Sequence, residues 1–87
     1  MKFTVEIDVK AAKEIRALPQ KDQRLIIAKA EALASNPRPP GSVKLAGNSG
    51  LWRMRSGVYR IIYQIQDARL LVTVVKVGHR RDVYRGI

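Results

Sequence analysis

Six side chains in the second half of the chain could carry chemistry: Arg53, Arg55, Arg60, Arg80, Arg81 and Tyr84. They lie in and just beyond segments with strand patterning, where positions two apart share one face. Guanidinium groups set so close repel one another, and folding stability alone would not select them. A face that tolerates such crowding suits a polyanion, most commonly RNA or DNA. Arginine fits phosphate through its fixed fork of donors and permanent charge. His79 adds the side-chain type best suited to proton transfer near neutral pH, although a lone histidine after a strand is more often a surface or capping residue. Tyr84 can equally pack its ring on the sheet or stack on a base.

The charge distribution supports a binding face. The 87 residues carry a formal net charge of +10. Residues 1–34 hold seven basic side chains against five acidic, whereas residues 35–87 hold ten against two, Asp67 and Asp82. The chain contains no cysteine, one histidine and scattered acids, so the residue types favour neither disulfides nor a metal cluster, and no cofactor is expected. No apolar run approaches the roughly 20 residues of a membrane span. MKFTVEID offers no signal-peptide core, so a cytoplasmic protein is expected. At this length, 46% apolar and 28% charged, a single domain over residues 1–87 is expected.

The elements that must position these groups follow from periodicity. Lys2 to Asp8 alternates, with Phe3, Val5 and Ile7 on one side and Thr4 and Glu6 on the other, which predicts a half-buried strand. Asp8 is a candidate N-cap for a helix with Ala11, Ala12, Ile15 and Leu18 as its apolar stripe, broken by Pro19. A second helix is expected from Gln20 to Ala34 on Leu25, Ile26, Ala30, Leu33 and Ala34, with Lys21, Arg24 and Lys29 facing water. Ser35-Asn36-Pro37 stops it, and residues 35–50 read as a loop in which Lys44-Leu45 makes one anchoring contact. Three strands follow: Leu51–Arg55, Val58–Gln66, and Arg69–Val77 as a central strand covered on both faces. Gly78 ends the last of them, leaving GHRRDVYRGI as a tail. The fold class is therefore α+β, ordered β-α-α-β-β-β, an antiparallel sheet with an N-terminal helical hairpin packed on one side.

With Ser56-Gly57 as a two-residue loop, Arg53 falls directly opposite Arg60. Like charges so placed destabilise a sheet, by up to about 1 kcal/mol. One face of the hairpin then carries Trp52, Met54, Tyr59, Ile61 and Tyr63 as core, and the other carries Arg53, Arg55 and Arg60 with Val58 and Ile62. A wider turn would offset the opposed pair but leave the faces unchanged.

The element order and the strings KLAGNSGLWRMRSGVYRIIYQI and VVKVGHRRDVY resemble the RelE branch of the RelE/ParE superfamily of bacterial and archaeal toxins. The resemblance covers nearly the whole chain and rests on K-L-x-G, G-x-Y-R-[IL]-[IV]-Y, and V-G-[HK]-R followed by V-Y. It implies a RelE-like microbial RNase fold without the usual His/Glu pair, cleavage of mRNA in the ribosomal A site, and neutralisation by a cognate antitoxin. That antitoxin is expected to be acidic and DNA-binding, in a toxin–antitoxin hetero-oligomer. Carried over by motif position, Arg53 and Arg55 match two lysines that contact the RNA backbone and scissile phosphate. Arg60 matches an arginine that stabilises the transition state, and Arg80 one proposed as phosphate stabiliser or general acid. Tyr84 matches a tyrosine proposed as general base or base-stacking group, and Lys44, His79 and Arg81 join them as expected RNA contacts. The chain departs from the pattern in having arginine at 53 and 55 and histidine at 79, where lysine occurs in the best-studied member. It also has only three residues after Tyr84, against a longer C-terminal helix in some members.

The implied reaction is attack of a ribose 2′-hydroxyl on the adjacent phosphate, giving a cyclic phosphate and a free 5′-hydroxyl. It requires positioning, proton transfer and charge stabilisation, and no metal. Two other readings compete with it. One is a ParE-like toxin that inhibits DNA gyrase without nuclease activity, and the other a non-catalytic RNA-binding module.

Overall fold

Phe3, Val5 and Ile7 are partly buried against the core while Thr4 and Glu6 are exposed, and this alternation builds the first strand, β1 (Thr4–Ile7). The computed structural model describes residues 2–47 and 50–85. Asn48-Ser49 of the expected loop and Gly86-Ile87 of the expected tail lie outside the described residues.

Asp8 stands at the N-cap of α1 (Val9–Arg16), but its side chain makes no capping bond; its carbonyl accepts the Ala12 N–H at 2.8 Å. Pro19 takes the corresponding position before α2 (Gln20–Ala32). In α2, Ile26 and Ala30 lie four residues apart on the buried face, with Leu33 just beyond. Leu25, expected in that stripe, is 50% exposed, because one residue's rotation of about 100° carries it off the face. The helix ends at Ala32, two residues before the expected Ala34.

The segment expected as loop contains a further strand, β2 (Val43–Lys44), which pairs antiparallel with β3 (Leu51–Ser56). Lys44 lies opposite Trp52, and Leu45 N–H extends the ladder to the Leu51 carbonyl at 2.9 Å. Two residues among prolines and glycines are too short to show alternation, so the pattern hid them. β3 turns into β4 (Tyr59–Gln66), and a 3₁₀ turn at Asp67–Arg69 leads to β5 (Leu71–His79). Arg69, expected in the last strand, belongs to that turn, which closes with Leu70 at φ +49°.

The sheet order is β1-β5-β4-β3-β2: an antiparallel meander with β1 added parallel to β5. β4 is the central strand and β5 its neighbour. The helices cover one face, and the core joins Ala11, Ile15, Ile26, Ala30 and Leu33 to Met54, Ile61, Tyr63, Val72, Val74 and Val77. β5 is therefore not covered equally on both sides: Val72 and Val74 are buried, while Thr73 and Val75 are partly exposed. A bulge shifts its register, since Ile62 pairs with Lys76 but Tyr63 with Val74. The extra residue returns Val77 to the core face and puts Lys76 on the opposite one. Where β1 no longer accompanies β5, the Val77 N–H is taken by Glu14 of α1 at 3.0 Å. No helix among the described residues is long and apolar enough to cross a membrane.

Candidate nucleic-acid interface and active site

The hairpin carrying the arginines closes one residue later than its Ser-Gly pair implies. Ser56 stays in the ladder opposite Tyr59, and Gly57-Val58 forms the loop, with Gly57 at φ +60°. A positive φ at the first loop position alone is the pattern of a type II′ turn, which glycine adopts freely. Arg60 therefore faces Arg55, and Arg53 faces Ile62. The opposed pair is corrected from Arg53/Arg60 to Arg55/Arg60, and Val58, expected on the arginine face, lies in the loop; the core face keeps its expected membership, Trp52, Met54, Tyr59, Ile61 and Tyr63.

The tail completes the arginine face. Arg80 N–H bonds the Val58 carbonyl at 2.7 Å, and the chain then turns sharply, with Asp82 and Val83 N–H groups both donating to the His79 carbonyl at 2.8 and 2.9 Å. Gly78, expected to end the strand, remains paired with Arg60. Val83 packs beside it: a Cβ there would meet Val83 Cα and Cβ at 3.5 Å, an ordinary contact. Val83 is 1% exposed, and Ile62, two residues from Arg60 on the same strand face, is fully buried. Val83 thus anchors the tail so that Tyr84 reaches Arg53, whose Nη1 donates to Tyr84 Oη at 3.0 Å. Lys76 Nζ fastens the end of the turn through the Arg85 carbonyl at 2.9 Å.

The site is electrostatically one-sided. Among the described residues the ion pairs are Arg38–Asp67 and Arg85–Asp82, so Arg53, Arg55, Arg60, Arg80 and Arg81 have no carboxylate partner. Arg60 Nη1 donates to the Tyr59 and Gly57 carbonyls at 2.9 and 3.1 Å, which holds its guanidinium against the turn. Partial burial, then Arg55 and Arg53, and more weakly Arg80, draw the Arg60 pKa below the ordinary arginine value, with Tyr84 opposing. The guanidinium stays charged near neutrality, but its neighbours make that charge costly. An anion here would relieve the repulsion. Arg53 Nε is buried without a hydrogen-bond partner.

Arg53, Arg55, Arg60, Arg80 and Tyr84 are brought together. Arg81 is exposed on the turn beside them. Lys44 and His79 are not part of the group: Lys44 is opposite Trp52 and His79 opposite Tyr59, so both belong to the helix-side face. Lys76 stands on the arginine face and was not singled out from the sequence, because the uninterrupted run LLVTVVKV gives no sign of the bulge that places it there. Among the described residues no group of three or more His, Cys, Asp or Glu is arranged to hold a metal.

A model of the family described as ParE toxin of type II toxin–antitoxin system, parDE, matches residues 5–84. The chain belongs to this RelE/ParE toxin superfamily. It is a RelE-like toxin of a type II toxin–antitoxin system. It is similar to toxin RelG of Mycobacterium tuberculosis, 29% identical over 98% of this chain and 99% of the relative. It is also 31% identical to the mRNA interferase toxin RelE of Escherichia coli K12, over 97% of this chain and 92% of the relative. A chain in the crystal structure of the archaeal RelE–RelB complex from Pyrococcus horikoshii OT3 matches with a TM-score of 0.83 at 26% identity, covering 95% of this chain and 100% of that one.

In this RelE-like toxin the candidate groups share the sheet face opposite the helices. A groove of about 340 Å³ runs between α2, the proline segment and β3, with Lys29, Pro39, Pro40, Met54 and Arg55 in its lining, which includes no acid.

Proposed function

We propose that this toxin is an endoribonuclease that cleaves mRNA in the ribosomal A site by metal-independent 2′-hydroxyl attack. The observation that carries the reading is the convergence of Arg53, Arg55, Arg60, Arg80 and Tyr84 on one face, with no carboxylate paired to these arginines among the described residues. The name of the Escherichia coli relative, mRNA interferase toxin RelE, supports it.

In the proposed reaction the 2′-oxygen forms a bond to phosphorus as the bond to the 5′-oxygen breaks. Arg60 and Arg80 neutralise the charge that builds on the phosphoryl oxygens, and Arg53 and Arg55 hold the flanking backbone. Arg53 donates to Tyr84 Oη, an interaction that the deprotonated oxygen can also accept. In that place Tyr84, reacting as its phenolate, takes the 2′-hydroxyl proton, or as the neutral phenol stacks on the base and orients it. The 5′-oxygen leaves with a proton given by Arg80 as general acid or by water, producing a 2′,3′-cyclic phosphate and a 5′-hydroxyl. The ribosome is the partner that presents the strand, and an acidic, DNA-binding antitoxin is the partner that neutralises the +10 chain, in a hetero-oligomer.

Incubation with mRNA-programmed ribosomes should give cuts in the A-site codon, with Arg60→Ala reducing the rate by roughly 100-fold or more, as for loss of a group that stabilises transition-state charge. Intact mRNA after incubation with folded wild type would refute the reading. The family model's description as a ParE toxin keeps open a second reading, the ParE-like inhibitor of DNA gyrase weighed from the sequence. Inhibition of supercoiling without mRNA cleavage would select it.

A further inference from the structure

His79 sits one residue before Arg80, yet it lies on the wrong face of the sheet to meet a phosphate held by the arginines. It pairs with Tyr59, and the two rings meet edge to face, with centroids 6.3 Å apart and planes at 82°. Tyr59 Oη in turn donates a long hydrogen bond, 3.5 Å, to Asp22 of α2. The His79 ring is therefore lodged on the helix side, at the end of β5.

Its Nδ1 has a specific task there, accepting the Arg81 N–H at 3.1 Å. A peptide unit is planar, so fixing the Arg81 N–H fixes the orientation of the whole unit that leaves Arg80. The unit entering Arg80 is fixed independently, because Arg80 N–H bonds the Val58 carbonyl at 2.7 Å. Arg80 is thereby clamped on both sides, and its Cβ direction with it. The His79 carbonyl holds the next stretch through Asp82 and Val83, but any residue supplies a carbonyl. The side-chain acceptor two residues before a bonded N–H is what only a few residue types can provide.

We infer that His79 is a positioning residue: it holds Arg80 toward the phosphate through Nδ1 and neither touches RNA nor transfers a proton. The inference rests on the nuclease reading for its effect on rate, but the clamp itself can be read without RNA. Two variants separate the possibilities. His79→Asn keeps an acceptor that reaches the N–H two residues on, in the geometry of an Asx turn. His79→Phe keeps a ring against Tyr59 and removes the acceptor.

Amide hydrogen exchange on the free protein should show the Arg81 N–H exchanging roughly tenfold or more faster in His79→Phe and near wild type in His79→Asn. With mRNA-programmed ribosomes, His79→Phe should lower kcat by roughly tenfold, the equivalent of one lost hydrogen bond, with KM little changed. His79→Asn should stay within about threefold of wild type, with an unaltered pH–rate profile. Equal activity of both variants with wild type, or equal impairment of both, would overturn the inference. So would a loss of about 100-fold or more in His79→Asn together with a missing limb of the pH–rate profile, which would mark His79 as a proton-transfer group. A wild type that does not cut mRNA would defeat the nuclease reading, and the Arg81 exchange rate would still decide whether His79 clamps the turn.

Discussion

Removing a single oxygen, in Tyr84→Phe, separates a catalytic role for the tail from a structural one. Tyr84 is 42% exposed, and its hydroxyl makes one hydrogen bond, from Arg53 Nη1 at 3.0 Å. Val83, not Tyr84, is the residue buried beneath the tail. Losing an exposed hydrogen bond costs about 0.5–1 kcal/mol, and the freed guanidinium nitrogen can be solvated. In a domain of this size that is a fall of no more than roughly 4–8 °C in Tm. If Tyr84 accepts the 2′-hydroxyl proton, the same change should slow cleavage by roughly 100-fold to 10,000-fold. The assay is single-turnover cleavage of mRNA on programmed ribosomes beside thermal melts of the free toxin. A stable variant with a rate two or more orders of magnitude down supports a role in chemistry. Wild-type cleavage would exclude Tyr84 as proton acceptor, leaving stacking of a ring that phenylalanine reproduces. A collapse in Tm matching the loss of activity would show that the Arg53–Tyr84 bond holds the tail and that its hydroxyl is structural.

Four further outcomes are expected. Gly78→Ala should fold and cleave nearly as wild type, since its Cβ would meet Val83 at 3.5 Å, an ordinary contact, whereas Gly78→Leu should displace the tail, expose its amides to hydrogen exchange and abolish cleavage. Tyr63→Phe should lose about 1–2 kcal/mol in urea unfolding, because buried Tyr63 Oη, whose pKa burial raises, donates to the Pro37 carbonyl at 2.8 Å and ties the proline segment to the sheet. The bidentate Arg38–Asp67 pair, with Arg38 also 5.1 Å over the Trp52 ring, holds the Asp67 pKa below its ordinary value. Its stabilisation should be complete above about pH 4 and disappear as pH falls through the lowered value, so urea midpoints of wild type and Asp67→Asn should converge in acid; a constant difference would refute the link. Arg55→Thr should raise stability by up to about 1 kcal/mol at low salt, by removing the like charge opposite Arg60, while weakening RNA binding; an unchanged or lower urea midpoint would refute the repulsion.

The elements were legible wherever a period ran for several turns or pleats. β1, both helices and the β3–β4 faces follow from apolar spacing, and the arginine face follows from them. What escaped was set by single residues or by long-range pairing. Gly57, not Ser56, opens the turn, which moved the opposed charge from Arg53 to Arg55. The bulge beside Val75 reverses the facing of Lys76 and Val77 within an apolar run that looks uniform. β2 exists because β3 offers it an edge, and two residues cannot announce that by alternation. His79 appeared beside Arg80 in sequence and is separated from it by the sheet itself, since neighbours in a strand face opposite ways.

The turn after β5 reconciles a costly site with a stable fold. Arg55 and Arg60 oppose each other beside the closing turn of the hairpin, where Arg55 makes the Arg60 charge costlier. A tail held only by attraction to that face could not exist, because it brings Arg80, Arg81 and Arg85 toward it. It is held instead by contacts that need no opposite charge on that face: Val83 against Gly78, backbone bonds to Val58 and His79, Lys76 on the Arg85 carbonyl, and Arg53 donating to the Tyr84 hydroxyl. Apolar contact and hydrogen bonding thus bear the load of assembling like charges, and the unbalanced potential remains available to an incoming phosphate. Neutralising residues within the cluster would improve the fold and weaken its attraction for anions, which makes stability and anion binding opposed at Arg55 and Arg60 and independent at Val83.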